Sequence, residues 1–263
     1  MISEIKGKIS QSGSNLSDRF EDKLTGDFFG TIRYLPFEEG IKDILSQVQF
    51  NDTKVTSEWH KMLSTQIGFV ANYTFWPKHP KGEIDLLIEF ENVIIGIEVK
   101  YISGISSEDE LTEIEPMNYK ESVHQLSRYS DMLEGKAGNR KAYLVFLAPY
   151  DIQRDVQREL CVKYIVSPLV NIGYVSWEDL HTALVIMMQK AKQGAQQLIL
   201  TDAEQLLRVK RLVRFSGFSK EVFLQYIPHF PYVYKSEDVL LGSTWSWSEK
   251  HLVEEQPYVY KTK

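Results

Sequence analysis

The chain has 263 residues, 43% of them hydrophobic and 25% charged, which is the composition of a folded globular protein. Thirty Lys and Arg against 36 Asp and Glu give a net charge of −6, which argues against a protein held on nucleic acid by bulk charge alone. Cys161 is the single cysteine, which excludes a disulfide framework. The sequence has neither a membrane-span pattern nor a signal-peptide core. We therefore expect a soluble, cytoplasmic protein that does not engage membranes.

The elements predicted along the chain divide it into three segments. Residues 1–37 are interpreted as an N-terminal arm that is flexible to about residue 17, after which an ordered arm or a short helix docks on the main body. Residues 38–180 are interpreted as the core, because strands alternate with helices as in a mixed α/β domain. The helices are predicted over 38–48, 56–66 and 118–133, and the strands over 69–76, 83–90, 93–101, 141–148 and within 165–177.

Residues 181–263 are interpreted as a C-terminal extension that is first helical and then aromatic-rich. A helix over 180–193 is followed by a capping-box pattern from Thr201 to Glu204, which predicts the start of a second helix. That helix carries a basic group toward its end: Arg208, Lys210, Arg211 and Arg214. Aromatic residues then alternate at period two, at 232/234, 245/247 and 258/260, which predicts a small antiparallel β unit.

The stretch from Gly82 to Lys100 carries the chemistry. Treated as a hairpin with its turn at residues 91–92, it pairs residues whose numbers sum to 183, so that Asp85 lies opposite Glu98. Lys100 shares the face of these two carboxylates because side chains alternate along a strand. The other face is wholly apolar: Leu86, Ile88, Phe90, Ile95, Ile97 and Val99.

Carboxylates placed opposite each other on a sheet repel, so the arrangement predicts a compensating divalent cation. Mg²⁺ accepts a few carboxylate oxygens and completes its coordination with water and phosphate oxygens. Lys100, two residues beyond Glu98, is placed to orient or deprotonate a water that attacks a phosphodiester. The pattern therefore favours metal-assisted hydrolysis.

The motif resembles that of the PD-(D/E)xK nuclease superfamily, which has the restriction-endonuclease-like fold. The resemblance rests on Asp85 followed by Glu98-Val99-Lys100, and Ile84 stands where the family has proline. The sequence Gly82-Glu-Ile-Asp85 is similar to the G-x-x-D form of the RecB-like branch. Gln125 and Tyr129 match the Q-x-x-x-Y signature of that branch, on one face of the following helix.

The resemblance implies a role for each matching residue. Asp85 and Glu98 would hold Mg²⁺ or Mn²⁺, helped by the main-chain carbonyl of Val99 and by a glutamate of the first core helix. Glu58 matches that glutamate best, with Glu21 and Glu39 as weaker candidates. In the family, the glutamine lies near the catalytic lysine and the tyrosine near the phosphate.

The expected function is a metal-dependent nuclease, provisionally an endonuclease, that hydrolyses phosphodiester bonds in DNA. Restriction or phage defence is the expected setting, with a homodimer or partner proteins of a defence system. The basic group at residues 208–214 is a candidate nucleic-acid contact, together with Tyr129. Two alternatives stay open. The chain could be a nuclease-fold binding or scaffold subunit that is inactive until a partner complex engages it, or it could be an RNA-specific nuclease.

Overall fold

The computed structural model describes residues 16–101, 122, 124–163 and 165–214. The chain divides into two compact units, Met1–Arg214 and Phe215–Lys263. The aromatic segment predicted to form a β unit belongs to the second and lies outside the described residues. Among the helices that the structure describes, none is both long enough and apolar enough to cross a membrane.

The strands of the described residues are β1 Gln49–Phe50, β2 Asn72–Phe75, β3 Lys78–His79, β4 Gly82–Glu83, β5 Leu86–Glu89, β6 Val93–Val99, β7 Lys141–Ala148 and β8 Val170–Ser176. Six of them form one mixed sheet, in the order β1-β8-β7-β6-β5-β2. The strands β6, β7 and β8 run parallel, and the remaining neighbours pair antiparallel. A separate two-stranded hairpin consists of β3 and β4.

Helices cover both faces of the six-stranded sheet. Their bounds are α1 Leu16–Ile32, α2 Ile41–Leu45, α3 Thr53–Thr65, α4 Gln125–Ala137, α5 Tyr150–Lys163, α6 Trp177–Lys190 and α7 Ala195–Val209, with a short 3₁₀ helix at Phe37–Glu39. One apolar cluster joins α1, α2, α3, α6 and α7 to one face, and the other joins α4 and α5 to the opposite face. Strand β6 is accordingly buried along its whole length, and β7 is buried at every position except Lys141.

The prediction of an α/β fold with a mixed sheet flanked by helices is confirmed. The hairpin register is also confirmed, since Leu86 pairs with Ile97 and Glu89 with Ile94. The strand predicted over 141–148 has these bounds in the structure. All six residues of the predicted apolar face belong to one core cluster.

The N-terminal segment contains a helix docked on the main body, which is one of the two predicted forms. It contains α1, whose Leu24, Phe28 and Ile32 are each 0% exposed and belong to the same cluster as the sheet. Phe28 also contacts Trp177 of α6 edge-to-face, with ring centroids 5.2 Å apart. Because α1, α6 and α7 all pack in the unit that ends at Arg214, residue 180 is not a boundary between units.

Two predicted helix starts are wrong for local reasons. Helix α3 begins at Thr53, three residues before the predicted start, because the side chain of Asp52 accepts a hydrogen bond from the backbone N–H of Lys54. Helix α7 runs through the predicted capping box, since the Thr201 hydroxyl donates to the carbonyl of Gln197 one turn earlier.

Replacing Phe28 by alanine tests whether α1 is part of the core. We expect Phe28→Ala to lower the free energy of unfolding by about 3–5 kcal/mol, because it opens a cavity against Trp177. Phe20→Ala on the same helix is the matched control, since Phe20 is 42% exposed and should cost about 1 kcal/mol or less. Denaturant unfolding curves measure both, and equal losses would contradict a buried α1.

Candidate functional site

A cluster of buried charges lies at the carboxyl end of β6, where the parallel strands β7 and β8 also end. Asp85 immediately precedes β5, Glu98 is near the end of β6, and Lys100 follows it. All three are buried, with exposures of 9%, 2% and 4%. Charged groups are rarely buried without partners, so their contacts define what the cluster can do.

Lys100 is held at its side chain and at its backbone. The ammonium lies 2.8 Å from Glu98 Oε1 and 3.3 Å from Glu21 Oε1. Its backbone N–H donates to Leu147 at 2.7 Å, and its carbonyl accepts from the indole N–H of Trp177 at 2.8 Å. Elements from four parts of the chain therefore fix this one residue.

Glu21 enters the cluster from α1. One of its carboxylate oxygens accepts a hydrogen bond from the ammonium of Lys100, and the other accepts one from the backbone N–H of Tyr101 at 3.0 Å. Glu21 is 8% exposed and lies three residues before Leu24, on the same buried face of the helix. The packing of α1 against the sheet thus brings a second carboxylate to the lysine ammonium.

Asp85 sits at the end of the hairpin ladder. The last pair of the ladder is Leu86 with Ile97, and Asp85 Oδ2 then accepts a hydrogen bond from the backbone N–H of Val99 at 2.8 Å. The carboxylate of Asp85 is therefore fixed beside the residue that separates Glu98 from Lys100. The predicted common face of these three side chains agrees with this placement.

The charges in the cluster shift one another's titration. Burial raises the pKa of Glu98 well above its usual range, and the nearby charge of Asp85 adds to this, while Lys100 opposes it. Burial alone would lower the pKa of Lys100, but Glu98 and Glu21 outweigh it and raise that pKa above its ordinary value. The lysine therefore stays protonated at neutral pH, while burial and the charge of Asp85 disfavour the charged form of Glu98.

The predicted glutamine and tyrosine pair lies at the start of α4. Gln125 Nε2 donates to Tyr129 Oη at 3.0 Å, and that hydroxyl donates to the carbonyl of Glu83 at 2.8 Å. Burial raises the pKa of Tyr129, and the charge of Glu98 raises it further, so the phenol stays protonated beside the cluster. The tyrosine therefore joins α4 to the segment that leads into Asp85.

The residues present fit a divalent cation of the Mg²⁺ type. Glu98 Oε2 is buried and has no hydrogen-bond partner within the described residues, so a carboxylate oxygen is available inside the cluster. Across the same residues no group of three or more His, Cys, Asp and Glu side chains could hold a metal ion. Asp85 and Glu98 alone would still suffice, since Mg²⁺ is commonly bound by one or two carboxylates plus water and substrate oxygens.

The structure does not bring Glu58 to this cluster, which corrects the predicted choice of helix glutamate. Its side chain is 56% exposed and pairs with Lys141 at 2.6 Å, at the amino end of β7. Glu98 is in register with Phe146, five residues farther along β7, or about 16 Å away along the strand. The sequence favours Glu58 because its helix directly precedes the first predicted strand. In the structure that helix places Glu58 at the opposite end of the sheet, beside Lys141.

The predicted basic contact group is largely engaged within the protein. Arg208 pairs with Glu204 at 2.8 Å, and Arg214 pairs with Asp179. Lys210 lies over the rings of Phe20 and Tyr101, at 5.0 and 5.2 Å, beside the cluster. Arg211 is exposed. Lys210 therefore adjoins the site, because Tyr101 also donates its backbone N–H to Glu21.

Sequence reasoning ranked Glu21 low and did not find Trp177. For Glu21, the helical spacing to Leu24 and Phe28 was a usable signal, because it places all three on one face. For Trp177, no sequence signal indicates that its indole would reach the backbone of Lys100.

Comparisons with protein-family models, with curated proteins and with solved structures find no match to this chain. Support for a function therefore comes from the cluster itself and from the resemblance of its motif.

A glycine-to-alanine pair tests the contact between Tyr129 and the segment before Asp85. Gly82 has φ +141°, and a Cβ there would lie 2.9 Å from Tyr129 Cε1. We expect Gly82→Ala to cost about 1–3 kcal/mol of stability through backbone strain and this clash. Gly135→Ala, on α4 in open space, should instead stabilise by about 0.5–1 kcal/mol. Denaturant unfolding distinguishes them, and a neutral Gly82→Ala would contradict the contact.

Proposed function

We propose that the protein is a divalent-metal-dependent nuclease that hydrolyses phosphodiester bonds in DNA. The observation that carries the proposal is the buried cluster in which Asp85 and Glu98 accompany an ammonium held by Glu21. Two buried carboxylates beside a lysine are an unfavourable arrangement for stability alone, because each charge must be removed from water. Such perturbed groups concentrate at functional sites.

In this proposal Asp85 and Glu98 hold Mg²⁺ or Mn²⁺, with the main-chain carbonyl of Val99 as a further ligand. The bound ion would supply Lewis-acid charge neutralisation at the scissile phosphate. The reaction forms a bond from a water oxygen to phosphorus and breaks one ester bond. One product keeps the phosphate, and the other leaves as a hydroxyl after taking a proton.

Lys100 acts here as a fixed cation. Its raised pKa keeps it protonated in the metal-free protein, so it is suited to orient water and to stabilise the negative charge that develops on phosphate oxygens. Glu21 is a positioning residue in this scheme, because its carboxylate accepts a hydrogen bond from the Lys100 ammonium and comes from α1, outside the strand motif. Gln125 and Tyr129 complete the site, with Tyr129 as a contact for phosphate.

The element order supports the assignment to the PD-(D/E)xK superfamily and its RecB-like branch. A hairpin carrying Asp85 and Glu98-Val99-Lys100 is followed by α4 with the Gln125 and Tyr129 pair, and then by the buried parallel strands β7 and β8. In this reading the mixed sheet is a restriction-endonuclease-like core. A role in restriction or phage defence is carried by fold-level analogy alone.

The burial of the cluster favours one alternative. Asp85, Glu98 and Lys100 are each at most 9% exposed, so a polynucleotide needs the site to open. A nuclease-fold subunit that stays inactive until a partner complex engages it would have this property. Metal-dependent cleavage by the isolated chain separates the two proposals.

The decisive experiment is a cleavage assay on supercoiled, linear and single-stranded DNA and on RNA, with Mg²⁺, with Mn²⁺ and with EDTA. We expect the wild type to cut DNA only with metal, and Lys100→Met to lose activity by about 10²-fold or more, since a fixed charge at the reacting phosphate is removed. Asp85→Asn is the second inactive variant, and thermal melts confirm that both are folded.

Cleavage that survives in both variants would contradict this site. A folded wild type that cuts nothing would favour the partner-dependent alternative. Preferential cutting of RNA would change the substrate class and leave the site intact.

A matched pair of glutamate variants tests the corrected helix carboxylate. We expect Glu21→Gln to reduce kcat by about tenfold or more, because the lysine ammonium loses one of its two charged partners. Glu58→Gln removes only an exposed ion pair at the far end of the sheet and should leave kcat unchanged. Steady-state cleavage kinetics measure both, and the reverse pattern would restore Glu58 and dismiss Glu21.

A further inference from the structure

The hairpin of β3 and β4 protrudes from the sheet directly beside Asp85. Phe75 pairs with Leu86 at the end of the β2–β5 ladder, and the backbone N–H of Trp76 then donates to the carbonyl of Asp85 at 3.0 Å. The residues between Trp76 and Asp85 form an excursion that is closed at its base by this bond. The base of the hairpin is therefore the backbone of Asp85, the residue whose side chain is a proposed metal ligand.

The backbone and neighbouring side chains hold this hairpin in place. Trp76 is buried with φ +48°, a conformation that a bulky residue adopts only where its surroundings enforce it. Arg128 donates to the carbonyl of Lys81 at 3.2 Å, and Tyr129 donates to that of Glu83. Both donors are on α4, so the helix that carries the Gln125 and Tyr129 pair also carries the hairpin.

The exposed side of the hairpin is basic. Lys78, His79, Pro80 and Lys81 are all exposed. Lys81 pairs with Asp131, whereas Lys78 forms no ion pair with any residue that the structure describes. His79 Nδ1 accepts the backbone N–H of Lys81 at 3.2 Å, which places the ring proton on Nε2 as a donor.

We propose that residues 78–83 form a phosphate-binding hairpin that docks the nucleic-acid backbone beside Asp85. This inference rests on the proposed nuclease function and names the surface that receives its substrate. Lys78 contributes a point charge to a backbone phosphate, and the His79 N–H is a donor to a phosphate oxygen. Neither group reads a base, so the contact is independent of sequence.

The net charge of −6 makes a local basic element necessary. A polyanion is repelled by the protein as a whole, so it must be attracted by a surface close to the reacting groups. The hairpin offers such a surface close to the proposed site, because its base adjoins Asp85. The predicted basic group on α7 does this less well, since Arg208 and Arg214 are already paired with carboxylates.

The test is fluorescence anisotropy of labelled duplex and single-stranded oligonucleotides with the full chain, in EDTA, over about 50–200 mM salt. The variants are Lys78→Glu and, as the matched control, Lys61→Glu. Lys61 is also an exposed lysine, on α3, whose Glu58 pairs at the far end of the sheet. Cleavage by the same proteins with Mg²⁺ is measured alongside.

We expect Lys78→Glu to bind about tenfold more weakly than the wild type, with the slope of log K against log salt reduced by about 0.7–0.9. Lys61→Glu should keep wild-type binding. If the wild type binds and cleaves but both variants bind equally well, or weaken equally, the hairpin proposal is overturned and the nuclease stands. If the wild type neither binds nor cleaves any nucleic acid, both proposals fail together.

Discussion

The ion contacts of Lys100 are the constraint on which the rest of this structure depends. A buried ammonium between Glu98 and Glu21 is tolerable only if each partner is held close, because an unpaired buried charge costs several kcal/mol. The strand β6 contains Glu98 and ends just before Lys100, and Glu21 reaches the lysine only when α1 packs on the sheet. The packing of α1 through Phe28 on Trp177, and the indole bond from Trp177 to the lysine carbonyl, belong to the same arrangement.

The features set by local periodicity could be predicted from the sequence. Alternation around a short turn set the register that pairs Leu86 with Ile97, and a one-residue slip would have moved every apolar side chain to the wrong face. The continuous apolar run at 141–148 likewise indicated a strand buried on both sides. Since the same alternation places Asp85, Glu98 and Lys100 together, the center of the candidate site followed from the hairpin alone.

The features set by tertiary packing could not be predicted in this way. Glu21 reaches Lys100 across 79 positions of sequence. Its helical spacing to Leu24 indicates a buried face, but it does not indicate which strand that face meets. The capping-box pattern at Thr201 was outweighed by burial, because Leu200 and Leu207 continue one apolar face through that point of α7. Local signals therefore located the motif, while the docking of helices decided which further groups reach it.

The contacts of Lys100 also determine when its environment can exist during synthesis. Glu21 lies 79 residues before the lysine and Trp177 lies 77 residues after it. Glu21 is therefore synthesised well before the lysine, and Trp177 well after it. Closing such long loops is slow relative to forming hairpins and helices. A nascent chain can therefore form the β5–β6 hairpin early, with Asp85 and Glu98 already adjacent, yet the carbonyl of Lys100 lacks its indole partner until α6 emerges. The order of translation keeps the cluster incomplete until most of this unit has been made.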